Sequence, residues 1–118
     1  MAEVKSSLHN LELVLKCYIE RYAKNGDFTL ILKTRYCKSY YGKYRGHIKE
    51  ITLYVCRDVE GNFYPLHQLL HTLFHEISHH DEYQEKGFKR LRGVMHSKRF
   101  YEIYNQYLSI LDRKENFE

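Results

Sequence analysis

Residues 75–79 read His-Glu-Ile-Ser-His, an H-E-x-x-H motif whose spacing has a physical reason. Residues four apart in an α-helix lie one turn apart, so His75 and His79 project from one face and can share a metal ion. Glu76 lies about 100° further around the helix, beside such an ion rather than bonded to it. There it can take a proton from a water that the ion has acidified. Random placement of the 8 His and the Glu residues gives about 0.05 such motifs in a chain of this length, so the surroundings matter to its reading. Leu66, Leu69, Leu70, Leu73, Phe74 and Ile77 form a continuous apolar stripe on the same segment. His75 and His79 fall roughly 170–210° from the centre of that stripe, where core histidines would not be.

Catalytic zinc takes three protein ligands and keeps one place for water. The next histidine is His96, separated from His79 by a segment in which Gly87 and Gly93 permit a fold back toward the pair. Its position just before a capped helix would hold the ring in place. Glu102, on that helix, is the competing ligand. Glu82 and Glu85 share the helix of the pair and turn away from it. His67 and His71 continue the series at four-residue steps, but position 72 is Thr, so a His71–His75 pair would lack an adjacent base. Both are read as flanking a cleft, while His80 cannot pair with His75 at one-turn spacing.

The elements that must carry these residues are legible in the hydrophobic periods. Leu8, Leu11, Leu15, Tyr18 and Tyr22 predict a first helix, with Ser6 or Ser7 as its cap and Asn25-Gly26 as a left-handed stop. Residues 28–35 (FTLILKTR) and 48–56 (IKEITLYVC) read as strands, and residues 36–46 as a turn or a further short strand. Glu60-Gly61-Asn62 is a turn signal. The second helix is expected from Pro65 to about Glu85, and the third from about Lys98 to Arg113 behind an Ser97 N-cap. Its apolar face is Phe100, Ile103, Tyr104, Tyr107, Ile110 and Leu111. The order predicts one α+β domain over residues 1–118, with a small antiparallel-rich sheet.

Composition sets outer bounds. A chain of 118 residues, 43% hydrophobic and with a single Pro, fits one core and is too apolar for disorder. No stretch approaches the roughly 20 apolar residues of a membrane span, and no apolar run follows Met1 as in a secretory signal. A cytoplasmic protein with no membrane partner is expected. Cys17, Cys37 and Cys56 form no C-x-x-C pair, which argues against a disulfide scaffold or a cysteine zinc ribbon and for reduced packing residues. The net charge of +4 is concentrated in two stretches without acids. One holds Lys33, Arg35, Lys38, Lys43, Arg45 and Lys49; the other holds Lys86, Lys89, Arg90, Arg92, Lys98 and Arg99. Interleaved with Tyr, they are candidates to meet a DNA phosphate backbone, or else a solvated basic surface.

The runs LLHTLFHEISHH and RGVMHSKRFYEIY resemble the metallopeptidase core of the SprT-like family and the related Wss1-type (WLM) proteases. The His96-Ser97-Lys98-Arg99-Phe100 continuation is the more selective part of the likeness, which spans roughly residues 28–111. The resemblance implies a minimal zincin with one Zn2+ ion on His75, His79 and His96, and with Glu76 as general base and then acid. It implies a zinc metalloendopeptidase acting on a protein or peptide substrate, such as proteins on DNA. Tyr101 or Tyr104 would be a second oxyanion donor. A substrate would lie along an edge strand, for which residues 48–56 are the candidate. Two other functions fit the same residues: a non-catalytic nucleic-acid-binding module braced by structural zinc, and a regulator-cleaving peptidase of a mobile element.

Overall fold

The computed structural model describes residues 2–86 and 96–117. In chain order the elements are α1 (Ala2–Tyr22), β1 (Thr29–Lys33), β2 (Gly42–Arg45), β3 (Glu50–Tyr54), α2 (Leu66–Lys86) and α3 (Lys98–Phe117). A single 3₁₀ turn, Gly46–Ile48, joins β2 to β3, and Lys49 closes it in the left-handed region at φ 50. The fold class is α+β, as expected. The sheet, however, is mixed: its order is β1-β3-β2, with β1 parallel and β2 antiparallel to β3.

The reason lies in β3. Ile51, Leu53 and Val55 are fully buried, and Thr52 and Tyr54 on the opposite face are buried too. A strand covered on both faces belongs in the middle of a sheet. The segment expected to be an edge is therefore central, and the edge beside α2 is β2, drawn from the ambiguous stretch 36–46. Gly42 permits that contact. A Cβ there would lie 3.1 Å from the Thr52 carbonyl oxygen and 3.1 Å from the Thr72 methyl, so any side chain would crowd both β3 and α2.

Helix boundaries differ from expectation where local signals competed. α1 extends back to Ala2, which puts Ser6 and Ser7 inside the helix instead of at its cap. Its last turn closes through Ala23 N–H donating to the Ile19 carbonyl, and Gly26 does not take a left-handed conformation. Gly61 does, at φ 92, in the expected turn, where Asp58 accepts the Asn62 N–H at 3.0 Å. Pro65 precedes α2, and its carbonyl accepts the N–H groups of Gln68 and Leu69. Ser97 caps α3 as expected, accepting the Phe100 N–H at 3.0 Å.

α2 lies between the sheet and α3. Leu69, Leu70, Leu73, Phe74 and Ile77 join Ile51, Leu53 and Val55 with Ile103, Tyr107 and Leu111 in one buried cluster, to which α1 adds Leu15. The turn of α2 after the motif is fixed by polar groups. His80 is fully buried; its Nε2–H donates to Asp27 at 2.8 Å, which leaves Nδ1 to accept the Tyr44 hydroxyl at 2.7 Å. Burial pushes the Tyr44 phenol up to about 12, so it remains a donor at any ordinary pH. The neighbouring Asp81 accepts from Asn25 at 2.9 Å and from the Tyr107 hydroxyl. Two consecutive residues thus tie α2 to β2, to the α1–β1 connection and to α3.

Removing one partner of a buried polar group leaves the other unsatisfied. Tyr44→Phe is expected to lower the unfolding free energy by roughly 1–3 kcal/mol in urea titrations. An unchanged midpoint would show that the hydroxyl does not hold His80.

Candidate metal centre

Three imidazoles converge at the junction of α2 and α3. His75 and His79 come from one face of α2, with ring centres 5.2 Å apart, and His96 lies 5.0 Å from each of them. Their ligand nitrogens all fall within 4.8 Å of one another, and His75 Nε2 and His96 Nε2 are 3.2 Å apart. Tetrahedral zinc with nitrogens at about 2.0–2.1 Å places ligand atoms roughly 3.3 Å apart, so the donor set fits that ion. Burial, and secondarily the nearness of His96, lowers the pKa of His75 and favours the neutral ring that a metal ligand must be. Among the described residues no other His, Cys, Asp and Glu group of three or more gathers in this way.

Phe100 makes the arrangement possible. It is fully buried and touches all three rings: stacked on His79 at 4.3 Å, tilted on His96 at 4.7 Å and edge-on to His75 at 4.9 Å. The sequence placed Phe100 on the apolar face of α3 and in the His96-x-x-x-Phe100 spacing; the second of these carried the signal for its role as a platform.

The start of α3 is tied to the end of α2 by the acids that turn away from the pair. Ser97 accepts at the α3 N-terminus while its own hydroxyl donates to Glu82. Arg99 forms a two-pronged pair with Glu85, Nε to Oε1 at 3.0 Å and Nη2 to Oε2 at 2.9 Å. This bracket fixes His96, one residue before Ser97. Glu102 is not brought to the pair: it is exposed and faces Arg99 Nη1 at 3.7 Å.

Beside the triad opens a cleft of about 320 Å³, lined by Tyr41, Gly42, His71, Thr72, His75, Glu76 and Tyr104. Glu76 is only 7% exposed, and desolvation pushes its carboxyl up to about 7. A nearby dication would pull it back down, since opposite charge favours the ionised form. Tyr104 directs its hydroxyl toward the His71 carbonyl at 3.4 Å, and its phenol is raised by burial first and then by the charges of Glu76 and Asp112. Tyr101 is half exposed, with its ring 5.9 Å from His96, and is not among the cleft residues. His71 lies in the cleft wall, and His67 is exposed beyond it.

The basic residues Lys33, Arg35, Lys38 and Arg45 are exposed and have no ion-pair partner among the described residues. Lys43 lies over the Tyr40 ring at 4.5 Å, whereas Lys49 pairs with Asp27 at 3.2 Å. Lys89, Arg90 and Arg92, with Gly87 and Gly93, lie outside the described residues. The cysteines are remote from one another in burial: Cys17 exposed, Cys37 intermediate and Cys56 buried, with no disulfide among the described residues. No helix among the described residues is long and apolar enough to cross a membrane.

No protein-family model matches the chain, and no curated protein sequence does. Solved structures do. The fold of this small α+β domain is similar to that of Wss1. The crystal structure of Wss1 from Saccharomyces cerevisiae is similar to this chain with a TM-score of 0.68 and 18% identity, covering 95% of this chain and 82% of that one. A Wss1 mutant from the same organism gives a TM-score of 0.69 and 20% identity, covering 95% and 83%. At such identity the fold is what is shared.

Replacing one of three ligands should weaken metal binding far more than replacing an exposed carboxylate nearby. His96→Ala is expected to lower zinc affinity at least about tenfold in chelator competition, while Glu102→Ala leaves it unchanged. The reverse pattern would move the third ligand to Glu102.

Proposed function

We propose that this protein is a zinc-dependent endopeptidase that hydrolyses peptide bonds in proteins, including proteins bound to DNA. The observation that carries this reading is the buried carboxylate of Glu76 lining the same cleft as His75, one member of a histidine triad assembled from two segments. A bound zinc would supply Lewis-acid chemistry, acidifying the attacking water and offsetting charge on the scissile carbonyl oxygen. Glu76 accepts the proton from that water and hands it to the leaving amine, so it must be ionised when the substrate arrives. Phe100 and the neighbouring hydrophobic core exclude bulk solvent from the floor of the site. Tyr104, on the cleft wall, is the better placed of the two tyrosines to donate a hydrogen bond to a developing oxyanion.

The substrate track follows from the strand order. β2 is the edge strand beside the cleft, and Tyr41 and Gly42 line it. An extended peptide adding to that edge would pass in front of Glu76 and bind through main-chain hydrogen bonds. A site in which zinc only braces the fold would have no use for a buried, desolvated carboxylate beside the ligands. For the DNA-associated part of the reading, the support is the exposed basic residues Lys33, Arg35, Lys38 and Arg45, which have no ion-pair partner among the described residues, although Lys33 and Arg45 lie on opposite edges of the sheet.

Glu76→Gln tests the chemistry, since the amide keeps the shape but cannot take the proton. It is expected to retain zinc while losing about 10²–10⁴-fold in casein or peptide cleavage. Cleavage at the parent rate would remove Glu76 from the mechanism. For the basic surface, single-stranded DNA affinity should fall as salt rises, with the log–log slope becoming shallower by about 0.7 for each phosphate contact removed in Lys33→Ala or Arg35→Ala variants. A flat salt response would make these residues mere solvating charge.

A further inference from the structure

The four-step histidine ladder does not end at the triad. His67 and His71 precede His75 on α2 and repeat the one-turn spacing, and nothing in the peptidase reading uses them as ligands. Their rings meet at 81°, near the 78° of the His75–His79 pair, but with centres 6.4 Å apart instead of 5.2 Å. His71 Nε2 is buried without a hydrogen-bond partner, the one such side-chain atom among the described residues. Asp112 Oδ1, from α3, lies 3.4 Å away, close enough for charge attraction but not aligned for a hydrogen bond. His67 is exposed and the Asp112 side chain is 60% exposed, so the group is open to solvent on their side, while His71 Nε2 itself is covered.

We propose that His67, His71 and Asp112 form a second divalent-metal site, one helical turn along α2 from the triad. Two imidazoles and one carboxylate suit a borderline transition-metal dication such as Zn2+, and not Ca2+ or Mg2+, which seek all-oxygen shells. An ion there supplies the orphaned His71 nitrogen with a partner and draws in the Asp112 charge. His67 must turn inward to complete the set, because its ring is further from His71 than His79 is from His75. That ordering cost makes this site weaker than the triad. His71 is also a wall of the cleft, so filling the site narrows the space for substrate. The resulting inhibition by excess zinc rests on the peptidase reading; the binding itself does not.

The test is a zinc titration of the full, metal-stripped chain against a chromophoric chelator at fixed pH, with bound metal counted by elemental analysis. The parent is expected to take two equivalents, the second at least about tenfold weaker than the first. His67→Ala, at an exposed position that leaves the core intact, and Asp112→Asn should each weaken only the second equivalent, again by about tenfold or more. A parent that saturates at one equivalent, or a second equivalent indifferent to both substitutions, overturns the proposal. Peptide cleavage measured alongside separates the two readings. Inhibition by excess zinc that disappears in His67→Ala supports both, whereas two-site binding without any cleavage leaves the metal site standing and removes the peptidase.

Discussion

Three neutral imidazoles aimed at one point do not attract one another. Lone pairs 3.2 Å apart, as on His75 and His96, repel unless a proton or a cation lies between them. Everything around the triad serves to hold that arrangement. Phe100 presses on all three rings, and the Ser97–Glu82 and Arg99–Glu85 contacts fix the helix start from which His96 projects. The fold thus spends packing energy on a geometry that a shared proton or a bound cation makes favourable, a common mark of a functional site.

α2 carries this load because its faces are divided. The apolar stripe from Leu69 to Ile77 goes to the core shared by the sheet and α3. His71 and His75 of the histidine ladder line the cleft, and the His80–Asp81 pair grips β2, the α1–β1 connection and Tyr107. The motif is therefore anchored immediately beyond His79 by hydrogen bonds to the buried His80 and Asp81. Tyr44 and Gly42 belong to the same short strand, so one anchor positions both α2 and the sheet edge beside the cleft.

Much of this was legible in the sequence. The helices appear in their periods, the Ser97 cap and the Gly61 turn in their residue types, and the His75–Glu76–His79 unit in its spacing. These are local facts, decided within one or two helical turns. The alternation of residues 48–56 was the misleading signal, because Thr52 and Tyr54 look like a solvent face and are instead covered. Ser6 and Ser7 misled in the same way: a good cap residue does not begin a helix when the residues before it continue the helical run.

Periodicity and residue type alone determined which side chains can share a metal on α2, since a helix fixes their relative positions without outside help. They also set the α+β class, through the change from a helical to a strand period. The tertiary structure brings His96, which the His96-x-x-x-Phe100 resemblance already favoured over Glu102, to the pair, and it alone decided that β2 is the edge beside it and that His71 faces Asp112. Each of those is a contact between segments far apart in the chain. Such contacts are settled by how whole faces pack, and no spacing within a single element encodes them.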